Sequence, residues 1–346
     1  MTRLGRLVAA TLFVVASIVI ANPDPAHSGA RGGGAIVFTS DRDSTPPAID
    51  DDIYLLRPGS PRVHNLTDDV SADQWPALSP DGRSLAWVKF PLDAAGQVVI
   101  TEAELYACRL QYRRGHWSCG TQRPLTKIGT SQTAVAWTPD SKTVLYAGLT
   151  EAGAVDIFSI KVKGHRAPIN LTNDAAIDNQ PSVSPDGRWF VYGRQGDLYR
   201  RAIDGSDPVL ITGGGGPTDG IDNGPDYSPD GSRIAFQSNR DGDFDIYVIK
   251  ARPESPSNVA VNLTDELRGP DEKVISQERR PTWSPDGRYL AFWWHLPSPA
   301  FPFIGGEIYR MRADGTQFAN LTDNDDQVPI VGDIMPDWGG TPAKHG

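Results

Sequence analysis

Trp283-Ser284-Pro285-Asp286-Gly287 decides the fold, because close relatives of it return along the chain. Leu78, Trp137, Val183, Tyr227 and Trp283 head copies reading LSPDG, WTPDS, VSPDG, YSPDG and WSPDG, and Pro336-Asp337-Trp338-Gly339 aligns as a truncated sixth. Successive anchors lie 59, 46, 44, 56 and 55 residues apart, the spacing of propeller blades. The motif itself is a turn. Proline supplies a φ near −65°, aspartate follows it without strain, and glycine accepts the positive φ that closes a short hairpin. Runs such as Tyr289-Leu290-Ala291-Phe292-Trp293 and Arg233-Ile234-Ala235-Phe236-Gln237 flank the turns and are rich in branched and aromatic residues, so each motif joins two antiparallel strands.

Two further strands complete each unit. Third strands read Asp52-Ile53-Tyr54, Glu104-Leu105-Tyr106, Asp156-Ile157-Phe158, Asp197-Leu198-Tyr199, Asp245-Ile246-Tyr247 and Glu307-Ile308-Tyr309, and short closing strands end in Leu-Thr or Ile-Thr. The count gives six bodies and six anchors, offset: the chain opens with a body at 35–67 and closes with an anchor at 333–339. The expectation is an all-β, six-bladed propeller of four-stranded antiparallel blades, closed by the C-terminal strand pairing with the N-terminal blade, which removes exposed sheet edges. Prolines 76, 181, 225, 281 and 336 stand two residues before their anchors, where proline is tolerated because the innermost strand faces the channel.

With 346 residues, 35 glycines, 29 prolines and a net charge of −10, the composition suits a turn-rich repeat protein and argues against nucleic acid as a partner. Arg3 and Arg6 precede a 15-residue uncharged run from Leu7 to Ala21, followed by small residues around Ala26-His27-Ser28. That order predicts a secretory signal peptide within residues 1–30, about 1–28, and a propeller over 31–346; the run falls short of the roughly 20 residues a span needs. A secreted or periplasmic protein follows, with no stable membrane span in the mature chain. The two cysteines, Cys108 and Cys119, would then pair as a disulfide stapling one hairpin of the second unit.

The repeats resemble the β-propeller repeat of the TolB family, the PD-type WD40-like repeat. The elements that carry the resemblance are P-x-W-S-P-D-G, I-A-F-x-S-x-R-D-G, D-I-Y and L-T, best seen over Ile234–Val248, and they span Ala35 to Gly340. TolB carries an additional N-terminal α/β domain, for which this chain leaves no room before its first strand, so a stand-alone propeller is expected. No hydrolase elbow, zinc motif or phosphate loop is present in the sequence. The resemblance implies a non-enzymatic, monomeric binding or scaffold module facing a protein, peptide or glycan of the cell envelope. The alternative is a propeller lyase or hydrolase with its site at the channel mouth.

Acids gather on the face formed by second-to-third strand loops and blade connections, where negative potential would favour a cation or basic partner. Three residues before each strand-start proline stand Asp73, Asp178, Asp222, Glu278 and Asp333, with Ser131 in the remaining unit. Pseudo-symmetry would ring these at one channel mouth, as oxygen ligands for calcium or for a cationic peptide group; each could instead serve only its own loop. Asp241, Asp243 and Asp245 alternate like part of a calcium loop but lack its distal glutamate. No cofactor is otherwise expected.

Overall fold

Each repeat folds into one blade, and the reason is visible in its second and third strands. Their central aromatics face each other in register and stack: Phe38 on Tyr54, Trp87 on Tyr106, Tyr146 on Phe158, Tyr192 on Tyr199, Phe236 on Tyr247 and Phe292 on Tyr309, at ring-centroid separations from 5.6 to 6.4 Å. Such cross-strand aromatic pairs are a unit of sheet stabilisation, and at least one ring of every pair is buried. The computed structural model describes residues 34–44, 50–126, 132–164, 166–213, 220–252, 259–265, 277–295, 306–322 and 332–340. The expected signal peptide and Ser131 lie outside them.

The described residues form six antiparallel sheets. Blade 1 orders Asp333–Gly339, Ala35–Ser40, Asp52–Leu56 and Val63–Asn65 from the channel outward, so the C-terminal strand is indeed its innermost. Blades 3 to 6 begin at the inner strands Gln132–Trp137, Asp178–Val183, Asp222–Tyr227 and Gln277–Trp283. Blade 2 departs from the pattern. It starts at Ala72–Leu78, but its third strand, Glu104–Arg113, runs to ten residues and folds back through His116–Cys119 before the closing strand Arg123–Pro124. Cys108 and Cys119 are bonded across this extra hairpin, with Cα atoms 5.7 Å apart.

The closing strands explain the recurrent Asn-Leu-Thr. Asn65 and Thr67 both donate to the Asp52 carboxylate, Asn170 and Thr172 to Asp156, and Asn262 and Thr264 to Asp245. The outer strand is thus pinned to the acid that opens the third strand. At the other end, the turn serine or threonine donates to the turn aspartate: Ser79 to Asp81, Thr138 to Asp140, Ser184 to Asp186, Ser228 to Asp230 and Ser284 to Asp286, at 2.6–2.7 Å.

Candidate functional site in the central channel

All six inner strands are bulged at the same place. The register with the second strand shifts there, and one residue per blade adopts a left-handed φ: Trp75 at 60°, Ala134 at 51°, Gln180 at 52°, Gly224 at 60°, Arg280 at 58° and Met335 at 55°. Five of the six immediately precede the strand-start proline, which disfavours helical conformations for the residue before it. Bulges re-aim side chains, and strain repeated in every blade marks where the chain is being forced into a special shape. Those residues line one end of a channel cavity of about 380 Å³ whose other end is rimmed by the turn prolines Pro80, Pro139, Pro185, Pro229 and Pro285. The cavity is a funnel on the turn-bearing face.

At the bulge level the Arg280 guanidinium stacks on the Trp75 ring, 3.8 Å from its centroid. This joins blade 6 to blade 2 across the mouth of blade 1. The Arg280 N–H donates to Gln237 Oε1 at 2.9 Å, but among the described residues no carboxylate pairs with its guanidinium. Burial, with Arg279 adjacent, lowers its pKa to about 9. A cation so placed has the chemistry to pair with an anionic group.

One step toward the turns, the residue before the anchor ties neighbouring blades together at five of the six seams. The Leu78 N–H donates to Asp337 Oδ2 (2.7 Å), Tyr227 N–H to Ser182 Oγ (3.2 Å), Trp283 N–H to Asp226 Oδ2 (2.8 Å) and Trp338 N–H to Thr282 Oγ1 (3.1 Å). Where the residue is Ala77, the next anchor compensates with its indole, Trp137 Nε1 donating to Ala77 O at 2.9 Å. Burial raises Asp226 to about 6 despite the Trp283 and Ser182 bonds. Burial likewise raises Asp337 to about 7, relieved by the Leu78 bond and reinforced by the Asp226 charge.

The acids foreseen at the opposite mouth occupy one repeat position and are buried. The structure gives four of them a cation of their own blade. Arg194 grips Asp178 with Nε at 2.6 Å and Nη2 at 2.7 Å; the Nη2 groups of Arg240 and Arg42 each bridge both oxygens of Asp222 and Asp333 at 2.7–2.8 Å; Lys89 stands 3.5 Å from Asp73. Burial outweighs Lys89 and lifts Asp73 to about 7. The cations in turn lie over the aromatic pairs, Arg42 over Phe38 and Tyr54, Arg240 over Phe236 and Tyr247, Arg194 over Tyr192 and Tyr199, and Lys89 over Tyr106. Glu278 is fully buried at the equivalent place in blade 6.

Asp241, Asp243 and Asp245 are not gathered round a common point among the described residues. Asp241 accepts from the Tyr247 hydroxyl, and Asp245 is held by Asn262 and Thr264. The carboxylates that do converge are Asp156, Asp174 and Asp178, with oxygens within 4.8 Å of one another. Arg194 supplies the positive charge there, reaching Asp174 at 2.6 Å as well as Asp178.

Sequence reasoning singled out the repeat position of the acids but not the bulge residues, although a signal existed: five of the six stand directly before an inner-strand proline. The arginines of the ring were also in view, as the R of S-x-R-D in Ser40-Asp41-Arg42-Asp43 and Ser238-Asn239-Arg240-Asp241.

No protein-family model matches the sequence. TolB of Acinetobacter baumannii superposes with a TM-score of 0.64 at 18% identity, covering 89% of this chain and 67% of that one. The fold is that of the TolB propeller. An oligogalacturonate lyase of Vibrio parahaemolyticus shares it less closely, with a TM-score of 0.52 at 14% identity over 84% of this chain and 75% of that one. An uncharacterized protein of Agrobacterium fabrum is 29% identical over 190 residues, 51% of this chain and 59% of its own length. The fold is thus shared with TolB and with an oligogalacturonate lyase alike.

Proposed function

We propose that the chain is an exported, non-enzymatic binding module, which presents the turn-side funnel of its channel to a protein, peptide or glycan of the cell envelope and receives an acidic group of that ligand on Arg280. The observation that carries the reading is the Arg280 cation, deep in the channel, stacked on Trp75 and without a carboxylate partner among the described residues. The proline rim offers rigid apolar walls for the remainder of the ligand. Periplasmic residence fits the disulfide, since such bonds persist in oxidising compartments.

The test is capture of ligands from envelope extracts on the immobilised full chain and on Arg280→Gln. A ligand held by the first and lost by the second supports the reading; ligands held equally by both overturn the funnel as the site. One observation favours the enzymatic alternative, the pair Asp226 and Asp337 with pKa values near neutrality in the same cavity. That alternative requires product release from an acidic glycan or ester substrate that stops in Asp337→Asn.

A further inference from the structure

The irregular blade 2 builds a second cavity, away from the channel. Its extended third strand and extra hairpin form one wall, the turn and third strand of blade 3 form the other, and the groove between them encloses about 910 Å³. No other described blade has a fifth strand, and the disulfide staples the wall at Cys108, which itself lines the groove.

The groove is basic on a protein of net charge −10. Arg83, Arg109, Arg123, Lys142, Lys161 and Lys163 line it, all exposed, against the two carboxylates of Asp81 and Asp140. Those two are committed to their turns: Asp81 Oδ1 accepts from Ser79 and the Arg83 N–H, and Asp140 Oδ1 from Thr138 and the Lys142 N–H. Lys142 comes to 3.8 Å of Asp140, whereas Arg83, Arg109, Lys161 and Lys163 have no carboxylate partner among the described residues. Arg123 Nη2 donates to Val162 O at 2.6 Å, so it is held across the groove in place. Like charges gathered on an acidic protein repel one another, and that repulsion is relieved by a bound polyanion.

We infer that this groove binds a segment of an acidic polysaccharide. The arginines suit carboxylate or sulfate oxygens bidentately, and the hydroxyl and amide groups of Thr121, Ser141 and Gln111 between them suit sugar hydroxyls. Nucleic acid is the poorer fit, since single strands are held by aromatic stacking platforms and the lining contains no aromatic side chain among the described residues. A lipid surface is poorer still, because the cations line a concave groove in which, among the described residues, Val162 and Cys108 are the sole apolar side chains.

The experiment is titration of the full chain with oligouronates, heparin oligosaccharides, neutral dextran and oligo-dT, at two ionic strengths. Oligouronate or heparin should bind, weaken with salt, and lose about tenfold or more in affinity in Arg83→Gln/Arg109→Gln/Lys161→Gln/Lys163→Gln, whose substituted side chains are exposed. Unchanged melting of that variant shows that the loss is not unfolding. A second variant, Arg288→Gln, which removes an exposed cation of blade 6 that lines neither cavity, should leave this binding unchanged, which separates the groove from surface positive charge in general. Equal binding of dextran, tighter binding of oligo-dT, or full affinity in the quadruple variant overturns the inference.

Discussion

Trp338→Ala tests ring closure at its seam. Trp338 is 6% exposed, packs with Ile36, Phe38 and Ala291 between blades 1 and 6, and stacks on Tyr289 with centroids 6.4 Å apart. Truncating a buried tryptophan costs about 3–5 kcal/mol from lost transfer and the cavity left behind. With an unfolding entropy of about 2.1 cal/mol/K per residue, 4 kcal/mol over roughly 300 residues becomes a fall in Tm of about 6 °C. Trp338→Phe keeps an aromatic ring in place and loses no protein hydrogen bond, because the indole N–H has none; about 1.5 kcal/mol, or roughly 2 °C, is expected. Removing residues 333–346 should fall below both, since it strips the inner edge of blade 1 and takes the carboxylate from Arg42 and the acceptor from the Leu78 N–H. The assay is thermal unfolding followed by circular dichroism at one pH. A truncated chain that melts within a degree of the intact one would refute closure as the source of the ring's stability.

The pH dependence has a definite sign. Asp73, Asp226 and Asp337 have pKa values raised from 3.8 to about 7, 6 and 7, so between pH 4 and 7 the folded state binds more protons than the unfolded one, and their contribution to stability declines as pH rises through that window. Asp337→Asn should therefore melt higher than wild type at pH 8, with the gap closing toward pH 5. Arg194→Ala should lose about 3–5 kcal/mol by leaving Asp178 and Asp174 uncompensated, and calcium should raise the Tm of that variant while leaving wild type unmoved. Reduction of Cys108–Cys119 should destabilise the chain by about 3 kcal/mol on the chain-entropy estimate, and native material should show no labelled thiol.

The blade count, the offset and the closing strand were legible because the repeat carries its own turn chemistry: a proline and a glycine at fixed places in a five-residue motif. The acid ring was legible as a position and not as a set of contacts. Its cations stand on the second strand at two different offsets, Lys89 and Arg194 directly opposite their acids and Arg42 and Arg240 two residues beyond the strand, so no single spacing reveals them. The funnel was hidden for a different reason. Left-handed backbone before proline runs against local preference, and what imposes it on Trp75 or Arg280 is the ring as a whole, which a single repeat does not contain. In blade 2 the cysteines pointed to a stapled hairpin, but the added strand His116–Cys119 was not legible, because it lies within a 59-residue interval that carries no second copy of the turn motif.

Arg42 and Asp333 meet across 291 residues of chain, within the blade whose outer strands are made first and whose inner strand is made last. The first blade thus waits, edge open, through the synthesis of all the others, and the largest loop closure in the molecule falls at the end of folding. On the export route proposed above, with the N-terminus leading, the ring locks only after residues 333–339 have arrived. Until then the seam stays open to a chaperone, a protease or a second copy of the chain, and the time spent in that state is set by the rate of delivery as much as by the stability of the finished fold.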